Sequence, residues 1–181
     1  GAVHADIVAI NRNLCVKIPD NVPFNHAAFT TIAAIAIQGI RQADLRFGEN
    51  CTVIGLGLIG LLAVQILKAA GVKVIGVDIS SVQVNKAGDV GANLALVRNQ
   101  NGIVQSIIDY TQGYGTDAVI ITDGTNSLDP VEFAGEICRK KGRVVVVGAV
   151  PTGFSRANYY RKELDLRMSS SYGPGRYDAV Y

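Results

Sequence analysis

Residues 51–78 constrain the fold of this chain more than any other stretch. Cys51-Thr52-Val53-Ile54 is an apolar run of strand length, and Gly55-Leu56-Gly57-Leu58-Ile59-Gly60 follows it without a gap. Apolar residues then recur at 59, 62, 63, 66, 67 and 70, which puts them on one face of a helix. Lys73-Val74-Ile75-Gly76-Val77 reads as a second strand, and Asp78 stands at its end. Two strands joined through a helix pair in parallel, by a right-handed crossover.

The alternation continues to residue 170. A polar segment from Ser80 to Val90 ends at Gly91, as a helix C-terminus does. Asn93 to Val97 is a third strand; Ile103, Val104, Ile107 and Ile108 mark the next helix face; Ala118-Val119-Ile120-Ile121 is a fourth strand. Asp129-Pro130-Val131-Glu132 predicts a helix start, with Asp129 as N-cap, Pro130 at the first helical position and Glu132 closing a capping box. Arg139-Lys140-Lys141-Gly142 predicts its end: cations on the negative end of the dipole, then a left-handed glycine. Val144 to Val147 is a fifth strand without polar alternation, as expected when both faces are covered, and Leu164 to Ser170 gives a sixth. The expected fold is α/β: a doubly wound parallel sheet of six strands in the Rossmann order 3-2-1-4-5-6. A closed eight-fold barrel needs more units than these residues supply.

The first 45 residues have another texture. Asp6 to Ile10 and Leu14 to Ile18 read as short extended runs, Pro19 to Pro23 as a turn-rich break, and Phe24 to Gln42 as a long alanine-rich helix. Two short strands have too few partners here for a stable sheet. The expected division is therefore residues 1–45 as the tail of another domain with its connecting helix, 46–172 as the sheet domain, and 173–181 as an exit segment.

The glycine run sits where chemistry is expected. Gly55 lets the chain turn sharply off the strand, Gly57 lets the backbone approach a diphosphate, and Gly60 lets helix and strand pack closely. Unpaired N–H groups at the helix N-terminus, including those of Leu58 and Ile59, then face the phosphate charge. Asp78, about 20 residues past the glycines, is placed to accept hydrogen bonds from the adenosine ribose hydroxyls. At ~4 Å it repels a 2′-phosphate by about 1–4 kcal/mol, which favours NAD over NADP. Ile79 follows it, with no Arg or Lys nearby to reverse that preference. Thr122-Asp123-Gly124 follows the fourth strand and Gly148-Ala149-Val150 the fifth, where small residues let backbone atoms reach the nicotinamide end; Thr122, Gly148 and Ala149 are the expected contacts there.

Composition excludes other classes. The net charge is +2 with acids and bases interspersed, so there is no nucleic-acid footprint. Hydrophobic residues make up 49% and charged residues 18%, enough for a packed core. Apolar stretches are broken by Gly, Lys or Asp before they could cross a bilayer, and no secretory leader opens these residues. Cys15, Cys51 and Cys138 are distant from one another and odd in number, so they read as buried, reduced thiols of a cytoplasmic protein. His4 and His26 read as surface residues.

With the glycine turn, Asp78 and the alanine-rich segment in hand, the chain resembles the medium-chain dehydrogenases/reductases, the zinc-type alcohol dehydrogenase superfamily. Leu14 to Asp20, Ala27-Ala28-Phe29, Val90-Gly91-Ala92, Asp117-Ala118-Val119, Lys141-Gly142-Arg143 and Val147-Gly148-Ala149 are similar to successive landmarks of that family. The resemblance implies an NAD(H)-binding domain, preceded by the remnant of a GroES-like catalytic domain, in an oxidoreductase acting on an alcohol or carbonyl carbon. It implies that the zinc ligands and the catalytic acid or base lie outside these residues, so that the chain alone binds dinucleotide without turning over substrate. It also implies a homodimer joined through the last strand. Two departures matter. Where zinc members carry a third catalytic ligand, Thr30 stands here, and Thr is a poor zinc ligand, so no zinc is expected in this chain. Where the helix after Asp78 normally carries a basic residue near the adenine, Ser80-Ser81-Val82-Gln83 stands, which points to modest affinity. The run 169–178, SSSYGPGRYD, resembles bacterial two-part oxidoreductases with a glucose-fructose-oxidoreductase-like second half, and so implies a sugar-type substrate.

Two readings remain open on these residues: the cofactor domain of an enzyme, and a regulatory module that senses a nucleotide without catalysis. Both use the same glycine turn and acid. Residues 1–45 and Tyr172-Gly173-Pro174-Gly175 favour the enzyme.

Overall fold

The computed structural model describes residues 4–178 and residue 180. Residues 1–3, 179 and 181, which belong to the expected first and last segments, lie outside the described residues.

Six strands form one parallel sheet: β1 Asn50–Ile54, β2 Lys73–Asp78, β3 Leu94–Val97, β4 Thr116–Ile121, β5 Cys138–Val146 and β6 Asp165–Met168. Their order is β3-β2-β1-β4-β5-β6, as the strand–helix alternation predicts. The helices are α1 Phe24–Ala27, α2 Thr30–Ala43, α3 Leu58–Ala69, α4 Ser81–Asp89, α5 Ile103–Tyr110, α6 Asp129–Ile137 and α7 Arg156–Lys162. The two-residue period of each strand sends alternate side chains to opposite faces. Val53, Val74, Ile120 and Val145 pack on one side with Ala36 of α2, Val64 and Leu67 of α3 and Val84 of α4. Ile54, Ile75, Ile121 and Val146 pack on the other with Ile107 of α5 and Phe133 and Ile137 of α6. The strands are buried on both sides, which is why β5 shows no polar alternation from Arg143 onward.

Helix α2 is held along its length. At its C-terminal end the Arg143 guanidinium bonds Asp44 O at 2.7 Å and Glu49 Oε2 at 2.6 Å. Arg139 joins the same cluster through Asp117 and Glu49. These contacts lie at the strand starts, so the other end of α2, at Thr30, points toward the strand ends.

Several local expectations are corrected. Residues 6–18 form no strand; they are largely exposed, with a single 3-10 turn at Arg12–Leu14. The long helix breaks at Ala28-Phe29 into α1 and α2. Asp129 is not the N-cap of α6: Leu128 is, and no side chain caps it. Asp129 instead pairs with Arg98 at 2.6 Å, and Glu132 accepts from the Ser155 N–H and hydroxyl. Both carboxylates found better donors in tertiary partners. The basic run does not end α6 either. The helix stops at Ile137, and Arg139 to Lys141 open β5, with Lys141 rather than Gly142 left-handed at φ 57°. The end of α6 is capped from α7: Lys162 Nζ donates to the carbonyls of Gly135, Glu136 and Cys138 at 2.9, 2.7 and 2.8 Å. Cys15 is exposed; only Cys51 and Cys138 are buried. Burial pushes the Cys138 thiol up to about 12 and the Cys51 thiol higher still. His4 and His26 are exposed, as expected. Among the described residues, no helix is long and apolar enough to cross a membrane.

Candidate dinucleotide site

All ten residues singled out for cofactor contact fall at the C-terminal ends of β1, β2, β4 and β5, in the turns that follow them, or in the first turn of α3. This is the edge where open α/β sheets take ligands, and β1 and β4 are neighbours whose connections run to opposite faces.

Gly55 turns the chain off β1 with φ +88°, and a Cβ there would lie 2.8 Å from Asp123 N. Gly60 closes the first turn of α3 against β1. A Cβ on it would meet Gly55 O at 1.9 Å, so only glycine permits this helix to start here. Gly57 differs: it is exposed, and a Cβ there would meet nothing within 4 Å. What glycine keeps clear at Gly57 is space on the outside of the turn. Gly57 is the N-cap of α3 and no side chain caps the helix, so the N–H groups of its first turn, from Leu58 and Ile59 onward, point outward without helical acceptors. An open cradle, free donors and the positive end of the helix dipole fit a diphosphate. Leu58 is about half exposed (52%) and Ile59 partly buried.

Asp78 is fixed at the edge of this cradle. Its Oδ2 accepts the Leu56 N–H at 2.6 Å and its Oδ1 the Ser80 N–H at 2.8 Å. A carboxylate has about four acceptor positions, so both oxygens retain capacity for ribose hydroxyls. Ile79 is 72% exposed beside it, an apolar surface for a base to lie on.

Thr122 braces the turn from β4, its hydroxyl against Ile54 O and Gly55 O. Gly148 presses on the same strand end: a Cβ on it would lie 2.0 Å from Asp123 O. Ala149 is exposed, and its carbonyl accepts the Thr125 N–H at 3.1 Å. Asp123, which the sequence offers only as part of the segment Thr122-Asp123-Gly124 with no role of its own, stands between them. Its carboxylate is half-buried, and burial, then Asp78, then Asp129, pushes its titration above the usual carboxylate range. Nothing in the sequence distinguishes it from any acid in a turn; its position follows from the packing of β4 between β1 and β5.

Toward β6, a cavity of about 390 Å3 opens at the start of α2, between Asn13, Leu14, Cys15, Thr30 and Tyr172. A larger one of about 800 Å3, between Ile40, Leu45, Phe47 and Val72, lies at the opposite end of α2, away from the glycine turn. Size therefore does not mark the site; the strand ends do. The Thr30 hydroxyl donates to Ala27 O at 2.7 Å, as a residue of the helix start. Among the described residues no group of three or more His, Cys, Asp or Glu is placed to hold a metal ion, and the Thr30 hydroxyl is a poor zinc donor.

The fold and this turn define a Rossmann domain of the dehydrogenase kind. The sequence pattern of the zinc-binding dehydrogenase family matches residues 59–181, and the chain belongs to that family. It is 30% identical to (R,R)-butanediol dehydrogenase of Bacillus subtilis over 75% of this chain and 41% of the relative. It is 30% identical to sorbitol dehydrogenase of Bos taurus over 76% and 39%. The crystal structure of 2R,3R-butanediol dehydrogenase from Bacillus subtilis superposes with a TM-score of 0.78 at 26% identity, covering 87% of this chain and 45% of that one. A zinc-binding dehydrogenase structure from Sinorhizobium meliloti 1021, bound to NADP, gives 0.75 at 26% identity, covering 84% and 46%. The chain thus spans less than half the length of these proteins.

Proposed function

We propose that this chain is the NAD(H)-binding domain of an oxidoreductase that moves a hydride between nicotinamide and an alcohol or carbonyl carbon of a diol, polyol or sugar. One observation carries the cofactor reading: the uncapped start of α3 beside the open Gly57, with Asp78 locked against the same turn. The substrate class rests on the diol and polyol named for the relatives and on the run at 169–178.

In this reading residues 46–172 are the cofactor domain, 1–45 the connection from a catalytic domain, and 173–181 an exit segment. The first-turn N–H groups of α3 take up the diphosphate. Asp78 accepts the adenosine ribose hydroxyls and keeps a 2′-phosphate away, so NAD is preferred over NADP even though one neighbour holds NADP. Ile79 supports the adenine, and Thr122, Gly148 and Ala149 shape the nicotinamide end. When bound, the nicotinamide supplies or accepts the hydride. The cavity beside Thr30 and Tyr172 forms part of the substrate wall. No zinc is expected, since Thr30 stands at the ligand position and its hydroxyl is turned to Ala27 O. The reading also places the protein in the cytoplasm and pairs two copies through the free edge of β6, where unpaired N–H and C=O groups invite a strand. Calorimetric titration with NADH and NADPH tests the core of it: one NADH site per chain with weaker NADPH binding is expected, and equal affinities overturn the preference. A nucleotide sensor would bind as well, so NAD reduction by polyols in the full-length protein separates the two.

A further inference from the structure

Helix α2 buries a polar side chain that the chain itself does not satisfy. Gln38 is 4% exposed, and among the described residues its amide has no hydrogen-bond partner. Gly173 marks where that amide lies: a Cβ on Gly173 would collide with Gln38 Oε1 and Cδ. Side chains on a helix lean toward its N-terminus, so Gln38 reaches back over the turn of Ala34, four residues earlier on the same face. Ala34 lines the cavity of about 390 Å3 at the start of α2, and so do Tyr172 and Gly175, on either side of Gly173. The amide therefore stands at the floor of that cavity, on the strand-end edge that also carries the glycine turn.

The wall above it is polar without charge. None of the groups that line the cavity is an acid or a base. The hydroxyls of Thr31 and Tyr172, both in the lining, also have no hydrogen-bond partner among the described residues. Arg176 is exposed and outside the lining, its guanidinium 5.9 Å from the centroid of the Tyr172 ring.

We propose that Gln38 is a specificity-determining residue of the substrate wall, its free amide bonding a hydroxyl of an uncharged polyol in this cavity; the proposal rests on the substrate reading above. A primary amide offers two N–H donors and a carbonyl acceptor, and a hydroxyl both donates and accepts, so the two match in either direction. A phosphate or carboxylate would use only the donors and would bring a charge that no lining group meets.

The experiment uses the full-length protein that carries this chain, as wild type and as Gln38→Met, which keeps the length of the side chain and removes the amide. NAD reduction is followed with sorbitol, xylitol, 2,3-butanediol and sorbitol 6-phosphate, with NADH affinity and thermal unfolding measured beside it. KM for the polyol that is oxidised best should rise about 2- to 12-fold in Gln38→Met, the range of one hydrogen bond between uncharged groups. NADH affinity should not change. The unfolding temperature should not fall, because the amide contributes no hydrogen bond to the fold. The wild type should prefer sorbitol to sorbitol 6-phosphate. An unchanged KM, a parallel loss of NADH affinity, a lowered unfolding temperature or a preference for the phosphate overturns the inference and leaves the oxidoreductase reading intact. A wild type that binds NADH but oxidises none of these compounds overturns the substrate reading and the inference with it.

Discussion

Asp78 Oδ2 accepts the Leu56 N–H at 2.6 Å, so the acid that ends β2 also holds the turn that leaves β1. Recognition and loop order are therefore carried by one side chain. Asp78→Ala removes the acceptor for Leu56 and Ser80 N–H together, and each N–H left without a partner costs about 1–3 kcal/mol where water cannot reach it. Asp78→Asn keeps one acceptor oxygen and loses the charge. The expected outcome is a lower unfolding temperature for Ala than for Asn, and a loss of NADH-over-NADPH preference in both, read by thermal unfolding and calorimetry.

The two inner glycines separate folding from binding. Gly60→Ala forces a Cβ to within 1.9 Å of Gly55 O and should unfold or shift the start of α3. Gly57→Ala meets nothing within 4 Å and should fold normally while placing a methyl group in the diphosphate cradle. Urea unfolding should be unchanged for Gly57→Ala to within about 0.5 kcal/mol, as for a surface change, whereas NADH affinity should fall at least tenfold.

Lys162 tests how α6 ends. Its ammonium serves three carbonyls, and Lys162→Met preserves the stem but leaves them to water or to nothing. A loss of about 1.5–3 kcal/mol is expected, the range for hydrogen bonds to a charged group. Chemical denaturation of the variant measures it.

Much of this architecture is legible in the sequence, because it rests on local periodicity. The strands at residues 51, 73, 93, 118 and 144 and the helices between them announce themselves by apolar spacing, and their expected order is that of the doubly wound sheet to which the glycine turn points. What is not legible depends on partners far along the chain. Asp129 and Glu132 look like a capping box until Arg98 and Ser155 take their carboxylates. Arg139 and Lys140 look like a helix end until Glu49 and Asp117 draw Arg139 to the sheet, and Lys162 removes the need for a local cap. In the site the glycines and Asp78 are readable from spacing. Asp123 is not, because its place depends on Gly55 and Gly148 closing on it from two other strands.

The same carboxylate carries a pH signature. Asp123 has its folded titration raised above the ordinary 3.8, by burial first and then by Asp78 and Asp129. In the window between the ordinary and the raised value, the folded chain binds more proton than the unfolded one, so stability falls as the pH rises. At neutral pH the ionised Asp123 therefore weakens the unliganded fold. Asp123→Asn should unfold at a higher urea concentration than wild type at pH 7, and the advantage should narrow as the pH falls toward 3.8.

The most direct measurement is calorimetric titration of the chain with NADH, set beside Gly57→Ala. Saturable binding at one site per wild-type chain, lost or weakened at least tenfold in a Gly57→Ala variant of unchanged stability, is the predicted result. A folded wild-type chain that takes up no NADH at millimolar concentration, or a Gly57→Ala variant that binds it equally well, would contradict the placement of the cofactor at the start of α3.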